Sequence, residues 1–270
     1  MAYLSPLQTV IVGAARKAAR GLVRDFGEVE QLQVSLKGTN DFVSAADIKC
    51  ERSLHRDLSK ARPDFGFLLE EGGTVEGKDK TARWIIDPLD GTTNFLHGIP
   101  HFSISIALER DGEIVAGAVY DPVADEMFYA EKGLGAYLND RRMRVSARRR
   151  LDDTVIATGV PYLGRPGHAR FLAHVQAVMG ATAGVRRMGS AALDLAYVAA
   201  GRYDGYWETG LAPWDVAAGV ILVREAGGYV TEVEGGNDVV GTGSVLATND
   251  HILKPLGDLL RAAEPSETPP

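Results

Sequence analysis

At 270 residues, 45% of them hydrophobic and 24% charged, the chain can fill one large domain or two packed halves, and its composition is that of a globular protein, not of a disordered or fibrous one. A formal net charge of −7 lacks the basic field that broad nucleic-acid binding needs. The single cysteine, Cys50, excludes an internal disulfide; with no secretory leader and no membrane-length apolar run, the expected compartment is a reducing cytoplasm.

Leu7, Val10, Ile11, Ala14, Ala18 and Leu22 recur at helical spacing and predict an amphipathic first helix ending near Gly27. A loop with Lys37 follows, and then Asp41 to Asp47, where Ser44 and Asp47 have the spacing of a capping box. Ile48, Leu54 and Leu58 carry a second helix as far as Pro63. Phe65 to Leu69 reads as a short strand with Glu70 and Glu71 at its end, before Gly72 and Gly73. Further on, Ser103 to Glu109 alternates, Asp111-Gly112 signals a hairpin, and Ile114 to Tyr120 returns. With Glu126 to Ala130, these predict an N-terminal antiparallel sheet backed by helices.

Six arginines between Arg141 and Arg150 mark the expected junction of the halves, 1–145 and 146–263. Beyond it the pattern alternates: strands at Val155 to Thr158, Val185 to Met188 and Tyr203 to Trp207, with helices over Ala169 to Met179 and Ala191 to Ala200. Another helix opens near Pro213-Trp214-Asp215 and stops at Gly227-Gly228. Strands at Tyr229 to Val233 and Ser244 to Ala247 and a helix from Ile252 to Ala262 finish the fold, and 264–270 is expected to be a disordered tail.

The informative stretch is Trp84 to Phe95, W-I-I-D-P-L-D-G-T-T-N-F. Trp84, Ile85 and Ile86 read as the end of a buried strand, Asp87 to Asp90 as a bend, and Gly91 to Asn94 as a small polar turn opening a helix. Two carboxylates just past a buried strand are costly without a compensating charge, and a divalent cation supplies one. Pro88 stiffens the turn, and Gly91 lets backbone N–H groups approach an anion. Glu70 and Asp215 also sit at element ends, so four acids offer the hard oxygen ligands that Mg²⁺ prefers. Each acid taken singly has a plainer reading as a cap or solvated turn; for Asp215 that is a helix-start acid.

Other signals carry less. His97 and His101 are separated by Gly98 and Pro100, which argues against a helical zinc pair, and Gly133-Leu-Gly135 lacks the third glycine of a dinucleotide fingerprint. The arginine run reads as a solvated junction or, alternatively, as a patch for RNA or an acidic partner, although it lacks interleaved aromatics.

The Trp84–Phe95 stretch closely resembles the first signature of the inositol monophosphatase family, and Pro213 to Gly219 with Glu225 to Gly228 resembles the second. Asp41 to Asp47, Glu70-Glu71 and Gly189-Ser-Ala191 fall where the family has matching elements, so the resemblance covers nearly the whole chain and points to the bacterial branch. It implies the layered α/β/α/β/α sandwich of the Mg²⁺-dependent, Li⁺-sensitive sugar phosphatases and a homodimer. It also implies two or three Mg²⁺ ions: Glu70, Asp87 and the Leu89 carbonyl for the first, Asp87, Asp90 and Asp215 for the second, and Glu70 for a looser third. Thr92 would pair with Asp47 and orient the attacking water. The amides of Gly91 and Thr92 would hold phosphate, Glu208 would meet substrate hydroxyls, and Gly189 and Ala191 would line the same side. Lys37 matches a basic residue near the metal loop. Gly72-Gly73 stands where the family often has Ser, and should loosen a mobile loop over Gly72 to Thr81.

The reaction this implies is direct in-line hydrolysis of inositol 1-phosphate by metal-activated water, with no phosphoenzyme. Histidinol phosphate, fructose 1,6-bisphosphate and nucleotide 3′-phosphates are alternative substrates. A contact with RNA or a transcription complex is the alternative role; the overall charge does not support it.

Overall fold

The computed structural model describes the backbone of residues 4–32, 39–161 and 166–263, with side chains except at 29–32 and 39–44. Two helices come first, α1 (Pro6–Leu32) and α2 (Thr39–Ala61). α1 runs through Gly27 where the sequence predicted a stop, because Phe26 on the same turn is buried against Phe95 and Phe102. Such packing outweighs the ~1 kcal/mol an interior glycine costs. The segment 41–47 lies inside α2, so the expected cap is instead helix interior; Lys37, the Ser44 side chain and the tail 264–270 lie outside the described residues.

Eight strands then build the first sheet: β1 (Phe65–Leu69), β2 (Gly73–Val75), β3 (Asp79–Asp90), β4 (Ser103–Arg110), β5 (Glu113–Asp121), β6 (Glu126–Glu131), β7 (Gly135–Leu138) and β8 (Arg141–Arg142). Their order is β2-β1-β3-β4-β5-β6-β7-β8. Every neighbouring pair is antiparallel except β1 and β3, which run parallel. The stretch Gly72 to Thr81 is no loop: β2 pairs with β1, and β3 has begun by Asp79. A one-turn helix, α3 (Thr92–Leu96), follows β3.

The second sheet comprises β9 (Val155–Thr158), β10 (Gly184–Arg186), β11 (Gly205–Glu208), β12 (Tyr229–Thr231) and β13 (Val245–Thr248), in the order β10-β9-β11-β13-β12. Its helices are α4 (His168–Ala181), α5 (Ala191–Ala199), α6 (Pro213–Glu225), the short α7 (Val239–Thr242) and α8 (Asp250–Ala262). The layers run α1/α2, first sheet, α5/α6, second sheet, α4/α8. This is the predicted five-layered sandwich. α6 lies in the middle because it is apolar all round: every residue from Val216 to Val223 is buried. The central core joins Ile85, Ala107 and Val119 of one sheet to Ala157, Tyr206 and Ala247 of the other through α5 and α6.

β3 holds the local feature that positions the site. The strand does not bend after Ile86 but continues to Asp90, with a ladder irregularity: Asp87 pairs with Ser105 and Asp90 with Ser103. One side therefore has an extra residue, a β-bulge, and Pro88 falls in it, where its missing N–H is tolerated. In a regular strand, residues three apart point to opposite faces. Here Trp84, Ile86 and Leu89 pack toward α1 and α2, whereas Ile85 faces the central core and Asp90 bonds to Ser190. The bulge brings Asp87 and Asp90 to the same side.

The arginine run is only partly a solvated connection. Arg141 and Arg142 form β8, and Arg148 Nη1 lies 3.2 Å from Oδ1 of the buried Asp204, whose Oδ2 accepts the Val155 N–H at 2.7 Å.

Candidate active site

The parallel register that sets Leu69 against Ile86 carries Glu70 alongside Asp87, and the Glu70 N–H donates to the Ile86 carbonyl at 3.3 Å. Asp215 is carried on the first turn of α6, in the middle layer, where its Oδ2 accepts the Ala212 N–H at 2.7 Å. Ser105, paired across the sheet with Asp87, donates its hydroxyl to the Trp214 carbonyl at 3.1 Å. That bond ties the start of α6 to the sheet beside Asp87. Asp90 Oδ2 accepts Ser190 Oγ at 2.5 Å and the Ala192 N–H at 2.8 Å, so it sits on the N-terminus of α5. Asp87 Oδ1 accepts the Leu89 N–H at 2.8 Å.

Asp90, Gly91, Thr92, Gly189, Ala191, Glu208 and Asp215 line one cleft of about 300 Å³. Glu70, Asp87 and Asp47 do not line it, but Glu70 acts on the charge of both Asp87 and Asp47, and Asp87 also feels Asp90 and Asp215. Burial, followed by the charge of Glu70, Asp90 and Asp215, pushes the Asp87 carboxyl well above the carboxylate range. Burial raises Glu70 to about 7, with Asp215 and Glu71 adding to the rise. Asp90 is pushed up to about 7 by burial and then by Asp215, although Ser190 and Ala192 oppose the shift. Burial, with Glu70 and Glu71, raises Asp47 to about 8.

These acids are poor company for one another without a cation, and two of their oxygens, Glu70 Oε2 and Asp47 Oδ1, are buried with no hydrogen-bond partner. The donor set is all hard oxygen, which fits Mg²⁺. Among the described residues no three His, Cys, Asp or Glu side chains are grouped so as to hold a metal ion, and several of the oxygens are turned to hydroxyl or backbone donors instead.

One expected contact differs. The Thr92 hydroxyl donates to the Leu89 carbonyl at 2.9 Å and not to Asp47. The carbonyl expected to face a cation is thus capped by the residue expected to orient water. Gly91 has φ +93°, and a Cβ there would lie 3.0 Å from the His101 carbonyl, so this turn requires glycine. Cys50 is buried, and burial pushes its thiol up, which removes it as a nucleophile.

A 58% identical protein, the inositol-1-monophosphatase of Rhizobium meliloti (strain 1021), aligns over 97% of this chain and 99% of its own length. The inositol monophosphatase family model matches residues 3–265. The chain belongs to the inositol monophosphatase family. It is an enzyme of the phosphatase class. The crystal structure of extragenic suppressor protein suhB from Bartonella henselae shares the fold, with a TM-score of 0.90 and 58% identity, covering 96% of this chain and all of that one. Nus factor SuhB of Escherichia coli (strain K12) is 43% identical over 93% of this chain and 94% of its own length.

Several residues around this cleft carry no assigned role in the sequence, Tyr206 being open between a ligand wall and core packing. Tyr206 donates its hydroxyl to Glu208 Oε2, and a Cβ on Gly159 would lie 2.0 Å from that carboxyl, so Glu208 is held from beneath and given room in front. Thr93, Arg187 and Asp194 also line the cleft. Asp194 is 1% exposed, and burial with the charge of Glu208 and Asp90 raises its carboxyl well above the usual range. A signal existed: Asp194 is the only charged residue in the otherwise apolar A-A-L-D-L-A-Y-V-A helix. Ser190 precedes that apolar run as a helix cap, which is equally readable. A second cavity of about 280 Å³ adjoins the cleft, sharing Gly159, Val160 and Glu208 with it and reaching Phe171, His174 and Trp207.

Proposed function

We propose that the chain is a Mg²⁺-dependent phosphomonoesterase acting on inositol 1-phosphate. The observation that carries this reading is the placement of Asp90 and Asp215, from opposite halves of the fold, on one cleft with the Gly91–Thr93 turn and Glu208. Glu70, Asp87, the Leu89 carbonyl, Asp90 and Asp215 would hold two or three Mg²⁺ ions. The ions would neutralise phosphate charge and make a proton easier to remove from water. The chain's own residues do the rest. Gly91 and Thr92 present backbone N–H groups to the phosphate. Glu70, whose Oε2 is buried without a hydrogen-bond partner, is placed to accept a proton from attacking water. Glu208 accepts hydrogen bonds from the hydroxyls of a polyol, with Gly189 and Ala191 lining the same side.

Water, not a side chain, is the nucleophile in this reading, since Cys50 is buried and protonated. The deciding experiment is phosphate release with and without Mg²⁺ from inositol 1-phosphate, histidinol phosphate, fructose 1,6-bisphosphate and adenosine 3′,5′-bisphosphate. Inositol 1-phosphate should give the highest kcat/KM, and no phosphate should attach to the protein during turnover. Preference for another member of the panel would replace the substrate. A homodimer, inhibition by Li⁺ and a cytoplasmic location follow from the same family reading; sedimentation, Li⁺ titration and cell fractionation test them.

A second reading, contact with a transcription complex, is favoured by the relatives named Nus factor SuhB. The exposed arginines of the 141–150 run would supply the surface. Replacing Arg149 and Arg150 with Ala while keeping Arg148, which is tied to Asp204, should weaken such a contact and leave phosphate release unchanged. Undiminished binding to RNA polymerase or RNA would remove this role from the run.

A further inference from the structure

Asn94 belongs to the phosphate-side turn, but its side chain does not face the cleft. It is 4% exposed, and its Nδ2 donates to the His101 carbonyl and to the Met188 carbonyl, each at 2.8 Å. Both acceptors are carbonyl oxygens, so only the NH₂ end of the amide can face them, and both of its hydrogens are used. The Asn94 backbone carbonyl, in turn, accepts the Ile99 N–H at 2.9 Å and the His97 N–H at 3.1 Å, which closes the loop leading to His101.

The two acceptors adjoin different lining segments of the cleft. His101 follows the turn in the first half, and its carbonyl is the group packed against Gly91. Met188 immediately precedes Gly189, Ser190 and Ala191, which form the wall contributed by the second half. The turn 90–94 is therefore fastened to 188–192 at both ends: Asp90 by Ser190 and Ala192, Asn94 by Met188. The two fastenings differ in kind. The first uses a carboxylate that a cation would compete for. The second uses a neutral amide that touches none of the acids.

We propose that Asn94 is a positioning residue that sets the separation of the two cleft walls, and with it the alignment of a bound phosphate against a polyol held by the opposite wall. This inference rests on the phosphatase reading above and adds a residue that acts through the Gly91–Thr93 turn and the Gly189–Ala191 segment. Inorganic phosphate would be held by the turn and by ions on acids that the Asn94 side chain does not touch, whereas a polyol phosphate must also meet the Gly189–Ala191 wall.

The test compares wild type, Asn94→Ala and Asn94→Gln by steady-state phosphate release from inositol 1-phosphate, by inhibition with inorganic phosphate and by thermal melting. The Ala variant should raise KM about tenfold or more and lower kcat, since misplacement by about 1 Å can cost up to a hundredfold in rate. Inhibition by inorganic phosphate should stay within about threefold of wild type, because the Gly189–Ala191 wall takes no part in holding it. The Gln variant keeps the donor pair one methylene further out and serves if the Ala variant does not fold. It should melt close to wild type, with KM raised about threefold or more. A merely structural role would reduce the active fraction, lowering kcat at unchanged KM in whichever variant folds, and that outcome overturns the proposal. No phosphate release by the wild type overturns the underlying phosphatase reading instead.

Discussion

Ser190 Oγ donates to Asp90 Oδ2 at 2.5 Å across 100 residues of sequence, and the same hydroxyl accepts the Leu193 N–H at 3.3 Å. One side chain thus caps α5 and orients a candidate cation ligand. Ser190→Ala should lose the cap, about 1 kcal/mol, and a hydrogen bond to a carboxylate, about 1.5–3 kcal/mol. Denaturant unfolding should show a loss within their sum, and Mg²⁺-dependent phosphate release should fall several-fold. A variant with wild-type stability would mean that the bond does not contribute.

Asp90→Asn tests the site with little disturbance of shape. The Asn carbonyl oxygen can still accept from Ser190 and Ala192, while the negative charge is gone. Phosphate release should be abolished, and without Mg²⁺ the variant should melt at or above wild type, because a buried acid among other acids has been neutralised. Retained turnover would sink the assignment of Asp90.

Tyr206→Phe should act on selectivity. The ring is fully buried and only the hydroxyl donated to Glu208 is lost. A hydrogen bond to a charged group contributes about 1.5–3 kcal/mol, so KM for inositol 1-phosphate should rise about tenfold or more. Hydrolysis of p-nitrophenyl phosphate, which has no polyol to present to Glu208, should change little. Equal losses on both substrates would argue that Tyr206 supports the fold and not Glu208.

The acids give a pH signature to the metal-free protein. Asp47 holds its proton up to about pH 8, and Glu70 and Asp90 to about pH 7, each raised first by burial. Unfolded carboxyls release theirs near pH 4. Between these values the folded chain binds more protons than the unfolded one, so stability falls as pH rises. The contribution is complete below about pH 4 and is lost by about pH 8. Melting temperature without Mg²⁺ should therefore drop from about pH 5 to 8, and added Mg²⁺ should raise it more at pH 8 than at pH 5. A Mg²⁺ increment independent of pH would count against these carboxyls as the ligands.

Arg148→Ala leaves Asp204, 1% exposed, without its ion-pair partner. A loss of about 1–3 kcal/mol in unfolding free energy is expected, the penalty for unmaking a hydrogen bond to a buried group. Arg149→Ala should be close to neutral. Equal effects would show that the 141–150 run behaves as a uniform charged surface.

The legible part of the site was that written in local sequence. Asp87, Pro88, Asp90 and Gly91 lie within five residues, and Asp215 announces itself behind Pro213-Trp214 at a helix start. What escaped depended on contacts between distant segments. The bulge in β3 arises from pairing with β4, so Asp87 to Asp90 read as a bend. Ser105 and Asn94 look like ordinary strand and turn residues until Trp214 and Met188 are brought beside them. The run through Gly27 was missed for a similar reason, since the aromatic contacts of Phe26 are tertiary. The Thr92–Asp47 pair fails differently: local geometry offers Thr92 a nearer acceptor at Leu89.

α6 has both sheets against it, and Asp215 rides on its first turn. The distance from Asp215 to Asp90 is therefore a measure of how far the middle layer stands from the first sheet. Substitutions that thicken or thin the middle layer, such as a larger residue for Ala217 or Ala218, act as a ruler on the catalytic centre although they lie in the core. For the same reason, a polypeptide severed between the sheets, in the connection after Met143, would yield two pieces with an incomplete set of acids each. Recovery of phosphate release on mixing those pieces would report reassembly of the layer itself.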